Sequence, residues 1–445
     1  MASELSTSSS ILIVGAGTWG CSTALHLARR GYKHVTVLDP YPVPSPIAAG
    51  NDVNKIMEHK EVADTADARS IAFATCTRAA LKGWQTDPVF KPYFHETGFI
   101  QAGHTPALIE HIRQNDLYPS ESDFVKLETA EDFRKTMPPG VLTGDFPGWK
   151  GWLMKKNAGW IHARKAMFSA FHEAKRLGVT FITGSPQGKV VSLVYGQDDV
   201  TGARTEDGKV HSADRVIVSA GAGTDRILDM ENQLRPTAWT LCHIKMTEEE
   251  IKSQRYRNLP VLFNIAKGFF MEPDEDKGEL KMCDEHPGYV NWVSDPNRPG
   301  EKRSIPFAKE QIPREAERRA REFLKDTMPH LADRPLVFAR ICWDADTPDR
   351  FFLIDYHPRY PSLLLACGGS GNGAMQMPSI GGFIADALEG RLQEELKDVC
   401  RWRPETAVGR DWKSTQGRFG GPDKVMDFQE VGENEWTRVG KESLL

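Results

Sequence analysis

Cysteine is sparse and scattered. The seven residues, Cys21, Cys76, Cys242, Cys283, Cys342, Cys367 and Cys400, form no C-x-x-C pair, so neither a disulfide framework nor a zinc site is suggested. No HExxH or other metal-ligand spacing occurs, and no metal is expected. There is no Asn-x-Ser/Thr sequon and no internal repeat. No run approaches the ~20 apolar residues of a membrane span. Met1–Ser10 has neither the basic stretch nor the apolar segment of a leader. The expected location is intracellular: cytoplasmic, or peroxisomal if the terminal Ser443-Leu444-Leu445, which differs from Ser-Lys-Leu at its middle position, is an address. Charge of one sign is also lacking. The net value is −5 with no long basic run, which argues against nucleic acid or an anionic membrane as partner and for a small-molecule substrate. What remains is a 445-residue chain, 40% hydrophobic and 26% charged, long enough for two or three domains.

The most informative positive feature lies near the start. The apolar strand Ile11-Leu12-Ile13-Val14 runs into Gly15-Ala16-Gly17-Thr18-Trp19-Gly20, and Val35-Thr36-Val37-Leu38-Asp39 ends in a carboxylate 19 residues after Gly20. This is a dinucleotide-binding fingerprint. Gly15 makes the tight turn, Gly17 lets the backbone approach a pyrophosphate, Gly20 lets the following helix pack on the sheet, and Asp39 suits a ribose hydroxyl. The helix N-terminus adds free N–H groups and a positive dipole end.

After Asp39, the proline-rich Pro40–Pro46 leaves the nucleotide fold as a stiff loop. Helical patterns follow at 68–83 and 162–177, then a strand at 179–183 and the apolar run Asp214–Gly223, which ends in small residues and suits a buried strand. Residues 236–335 alternate short strands with polar loops and close on a charged helix, Arg314–Lys325, the pattern of an α+β domain. Finally Ser362–Cys367 enters a second glycine-rich turn, Gly368-Gly369-Ser370-Gly371-Asn372-Gly373, and a helix through Leu388. That turn nearly matches the hydrolase elbow G-x-S-x-G, but Asn372 holds the last position and nothing supports a triad. In a flavoenzyme its N–H groups would face the electron-rich pyrimidine edge of the isoalloxazine.

Three further residues could carry chemistry. In a strand, Lys281, Cys283 and Glu285 share a face, so a cation and a carboxylate could enter one cavity. Arg418, amid glycines, could clamp a hydroxyl or oxyanion. Cys342, alone in a strand, reads on chemistry alone as a small core residue.

The whole chain resembles the fungal amadoriases, the fructosyl amino acid oxidases grouped with monomeric sarcosine oxidase among flavin amine oxidases. The likeness is carried by Ile13–Gly20, Ala49–Lys55, Arg235–Leu241, Cys283–Tyr289, Ala339–Asp349 and Arg418–Pro422. It implies a glutathione-reductase-like FAD-binding Rossmann domain (α/β; residues 1–50, 155–235 and 335–395) and a mixed-sheet α+β substrate domain (51–154 and 236–334). Residues 396–445 would contribute to the active site. It further implies FAD bound covalently through its 8α-methyl to Cys342, with Lys281 near flavin N5 aiding oxygen reduction and Lys55 as a second lysine beside the flavin.

Cofactor contacts would extend to Gly15, Gly17, Thr18, Trp19, Gly20, Asp39, Asn51 and Val190, and to Gly369, Ser370, Gly371 and Met375. Substrate contacts would come from Glu285, Arg418, Gly371, Asn372 and Arg113, and the loop from Glu58 to Asp64 would shape the outer pocket. Another amadoriase type has a lysine at the position of Met375, so substrate preference does not transfer between types. The implied reaction oxidises a fructosyl amino acid with molecular oxygen to an imine, which hydrolyses to amino acid and glucosone with release of hydrogen peroxide. A monomer is expected. Oxidation of N-methyl amino acids such as sarcosine, and a non-catalytic flavin sensor, are the alternatives.

Overall fold

The computed structural model describes residues 5–63, 65–115, 124–295, 300–410 and 425–440. The opening motif folds as β1 (Ser10–Val14), α1 (Thr18–Arg29) and β2 (His34–Asp39). After a long excursion the chain returns with α2 (Ala163–Arg176), β3 (Thr180–Thr183) and β4 (Arg215–Val218). A second excursion contains β5 (Arg235–Lys245), β6 (Glu279–Cys283), α3 (Arg314–Thr327) and β7 (Leu336–Asp346). The chain then forms β8 (Leu353–His357), β9 (Tyr360–Cys367) and α4 (Met377–Leu388).

The first sheet has the order β8-β9-β4-β1-β2-β3. All neighbours are parallel except the β8–β9 hairpin. Its central strands β1, β4 and β9 are buried on both faces, with Ile13, Val37 and Ile217 in one core cluster and Val14, Val216 and Val218 in another. β1 lies between β2 and β4, so the chain leaves it towards opposite sides, and the crevice beyond its C-terminal end is where such sheets bind ligands. Gly15 makes the exit at φ +110°, where a Cβ would stand 2.5 Å from the Ser219 carbonyl oxygen. A Cβ at Gly20 would lie 1.8 Å from the Gly15 carbonyl oxygen, so only glycine allows α1 to start this close to the sheet.

The larger, mixed sheet is centred on β5, which pairs antiparallel with β6 on one edge and with β7 on the other. β7, grouped with the nucleotide fold by the sequence reading, is hydrogen-bonded along its length to β5 in this sheet. Ala158–Ile161 pairs with Lys55–Glu58 and Phe94–His95 in a separate small sheet. α3 covers one face of the larger sheet. Its Ala316, Ala320, Phe323 and Leu324 recur at helical spacing and pack on Leu280, Met282, Cys242 and Ile244. The opposite face is left to line a cleft. Among the described residues, no helix is long and apolar enough to cross a membrane.

Candidate active site

One cavity of about 950 Å³ takes in both the fingerprint turn and the open face of the larger sheet, at the upper end of small-molecule sites. Gly15, Gly17, Thr18, Trp19 and Asp39 line it on the side of the first sheet, as does Val190. Nothing stands within 4 Å of the place a Cβ on Gly17 would occupy, so the backbone there is open to a close-approaching group such as a pyrophosphate. Asp39 accepts hydrogen bonds from the Ala16 and Tyr41 backbone N–H groups at 2.8 and 2.9 Å. Burial raises its carboxyl to about 6, against the lowering effect of those two bonds.

The second glycine-rich turn meets the first across this cavity. Gly369, Gly371, Asn372 and Met375 line it, and the Trp19 indole N–H donates to the Gly373 carbonyl at 3.1 Å, tying the start of α1 to the turn before α4. Ser370, fully buried at φ +48°, supports the turn from behind through its N–H bond to the Ala345 carbonyl. Gly20 and Asn51 also lie behind the wall. The Asn51 side chain donates to the Ser45 carbonyl and accepts from Arg164 Nε at 2.8 Å, fixing the loop that follows the prolines.

Strand register sets the other wall. Cys342 is opposite Trp239 and Arg340 opposite Leu241; Leu241 is opposite Cys283 and His243 opposite Lys281. Because side chains alternate with period two, all of these point to the cleft face. Cys342, Cys283 and Glu285 line the cavity, as does Lys55 from the strand Lys55–Glu58. The Lys55 ammonium is 3.7 Å from the Cys342 sulfur. Burial pushes the Cys283 thiol up to about 11.

Lys281 is 1% exposed and is not itself part of the cavity wall. Its ammonium donates to Asp52 Oδ2 and to the Asn54 carbonyl, both at 2.7 Å, and stands 5.6 Å from the centroid of Phe269, a ring that lines the cavity. Lys55 reaches the same Asp52 oxygen at 3.0 Å. Burial alone would raise the Asp52 carboxyl, but Lys281, Lys55 and Arg340 hold it far below the usual carboxylate range. Lys55 is held above the ordinary lysine value: burial opposes its charge, and Cys342 and Asp52 outweigh burial. Two lysine side chains therefore converge on one carboxylate beside the cleft. In sequence, Asp52 stands out only as a member of the segment Ala49–Lys55. Its spacing of three from Lys55 was the only local signal.

Arg113 lies on an exposed helix, Pro106–Asn115, and pairs with Glu110 at 2.7 Å, while His111 of the same helix lines the cavity. Glu58 lines it as well. Arg418, Asp64 and the terminal Ser443-Leu444-Leu445 lie outside the described residues. Elsewhere, His162, Asp274 and Asp276 approach one another closely enough to share an ion, but the Lys165 ammonium already stands 2.9 Å from Asp276.

Comparison with known proteins gives a consistent result. The chain matches the FAD dependent oxidoreductase family over residues 10–387. It is 76% identical to the crystal structure of fructosyl amine:oxygen oxidoreductase (amadoriase I) from Aspergillus fumigatus, with TM-score 0.97 over 99% of this chain and 100% of that one. Amadoriase II of the same organism, a deglycating fructosamine oxidase solved in complex with FSA, is 52% identical with TM-score 0.94 over 99% of both chains. The L-saccharopine oxidase of Schizosaccharomyces pombe is 29% identical over 416 residues, 89% of this chain and 94% of its own length.

Proposed function

Because this chain belongs to the FAD dependent oxidoreductase family, and within it to the fungal amadoriases, we propose that its cleft binds FAD and a fructosyl amino acid side by side. The enzyme is a flavin-dependent oxidase that deglycates fructosyl amino acids. The observation that carries this reading is the 76% identity to amadoriase I over 99% of the chain, cleft included.

Gly17 and the N-terminus of α1 would hold the pyrophosphate, Asp39 a ribose hydroxyl, and the N–H groups before α4 the pyrimidine edge. Bound FAD supplies the redox chemistry, taking two electrons from the amine-bearing carbon and passing them to oxygen. The chain's own residues orient and stabilise. Cys342, with Lys55 at 3.7 Å, is the thiol that would hold FAD by a thioether. The Asp52 trio, with Lys281 and Lys55, supplies fixed positive charge where oxygen reduction develops negative charge, at no cost of reorganisation. Glu285 accepts hydrogen bonds from sugar hydroxyls, and Arg418 is assigned to the same substrate. Water then hydrolyses the imine, so fructosyl amino acid, oxygen and water give amino acid, glucosone and hydrogen peroxide.

The six-stranded sheet is the flavin-holding unit and the larger sheet the substrate-facing one. The proposal includes a monomer, acting in the cytoplasm or peroxisome. Peroxide output with fructosyl-valine and fructosyl-lysine, set against sarcosine, tests the assignment. Turnover of the fructosyl compounds is expected, and turnover of sarcosine alone would overturn it.

A further inference from the structure

Asp284 and Glu285 are adjacent and both border the cleft, yet the Asp284 carboxylate is held from the α3 side of the larger sheet. Glu285 lines the cleft. Asp284 meets α3 behind the sheet, where its Oδ2 accepts from Arg319 Nε at 3.0 Å and Nη2 at 2.7 Å. The two side chains are 4% and 10% exposed. The same Arg319 Nη2 donates to the Tyr289 hydroxyl at 2.8 Å, and that hydroxyl donates to Glu315 Oε1 at 2.7 Å. Asp284 Oδ1 accepts the His286 N–H at 3.1 Å, and the Asp284 N–H donates to the Thr240 carbonyl at 3.2 Å. The residues flanking Glu285 are thus clamped on both sides, with one guanidinium tying the turn's start at Asp284 to its end at Tyr289.

Such a buried pair adds little net stability over apolar side chains of the same size, but unlike them it is directional. The planar fork fixes the Asp284 carboxylate, and through one peptide unit it fixes where Glu285 enters the cleft. We propose that Arg319 is the positioning residue for Glu285, holding from behind the sheet the carboxylate that binds the fructosyl group. This rests on the assignment of Glu285 to substrate made above.

The test is equilibrium binding to holoenzyme of an unreactive thioether analogue of a fructosyl amino acid, read from the shift in flavin absorption. Arg319→Met should weaken binding about tenfold in the wild-type background and hardly at all in Glu285→Ala, since coupled neighbours lose additivity. Asp284→Leu/Arg319→Met removes both members of the buried pair and leaves behind the sheet only Glu315, a third exposed and still bonded by the Tyr289 hydroxyl. It carries the same comparison if the single variant does not fold. Equal weakening with and without Glu285, or no weakening in either, overturns the proposal. The wild type is first mixed with fructosyl-lysine without oxygen: bleaching upholds the substrate assignment independently of Arg319, and absence of bleaching removes that assignment and the positioning role together.

Discussion

The Lys281 ammonium lies 2.7 Å from Asp52 Oδ2, and Lys55 reaches the same oxygen at 3.0 Å. One carboxylate therefore serves two lysines, of which Lys281 is fully buried and Lys55 borders the cleft. Asp52→Ala leaves two like charges buried without a counterion and should cost about 3–5 kcal/mol of stability. Lys281→Met leaves Asp52 paired to Lys55 and should cost clearly less. Kinetically, Lys281→Met should slow reoxidation by oxygen on the order of 10²-fold while leaving anaerobic reduction by substrate much less affected. Urea unfolding and stopped-flow measurement of the two half-reactions check both statements; equal loss in the two half-reactions would contradict the role given to Lys281.

Cys342 is separated from the other cysteines by its neighbour rather than by its exposure. It is 4% exposed, but it has a lysine ammonium 3.7 Å from its sulfur and faces the cleft. Cys342→Ser protein is expected to release its flavin on acid precipitation and to lose much of its activity. Flavin retained in the precipitate of that variant would refute the linkage.

Gly17 and Gly20 of the fingerprint should fail differently. A Cβ on Gly20 would stand 1.8 Å from a backbone oxygen, whereas one on Gly17 meets nothing within 4 Å. Gly20→Ala should therefore abolish soluble folded protein. Gly17→Ala should fold with an unchanged circular dichroism spectrum and bind FAD at least tenfold more weakly, by about 1.4 kcal/mol or more. The yield of soluble protein checks the first statement, and FAD titration of Gly17→Ala against its parent, both in a Cys342→Ser background that leaves the flavin non-covalent, checks the second.

Acid sensitivity has an identifiable contributor in His286. Burial, followed by the Arg319 charge, pushes this histidine from 6.5 down to about 3. Between those values the unfolded chain binds a proton that the folded chain refuses. The contribution to stability is thus complete above about pH 6.5 and is lost as pH falls, at about 1.4 kcal/mol per pH unit. His286→Asn keeps an acceptor for the Gly288 N–H and removes the titration. Between pH 7 and pH 5 the wild type should lose about 2 kcal/mol more unfolding free energy than the variant, and parallel losses would contradict the assignment.

The parts of the site that could be read in sequence are those whose physics is local. Gly15, Gly17, Gly20 and Asp39 lie within one β-α-β unit, and each has a requirement that its neighbours in the chain already impose. The pairing of Lys281 with Asp52 spans 229 residues and depends on a register that neither segment specifies. β7 shows the same limit: an apolar strand near the second glycine-rich turn suits either sheet, and only its pairing with β5 decides. Cys342 became legible through family resemblance, since its cation comes from Lys55. Arg113 was placed by region rather than by helix face. It sits two residues, about 200° of helix rotation, from His111, so the helix turns one of them to the cleft and the other to solvent.

The most direct test of the central claim is the absorption spectrum of the purified protein, recorded before and after anaerobic addition of fructosyl-lysine or fructosyl-valine and again on the acid-precipitated pellet. The expected result is a flavin spectrum that bleaches with the glycated substrate and a yellow pellet that keeps its flavin. Flavin that stays oxidised with every amine offered would contradict the deglycating oxidase, and a colourless pellet beneath a yellow supernatant would contradict the bond to Cys342.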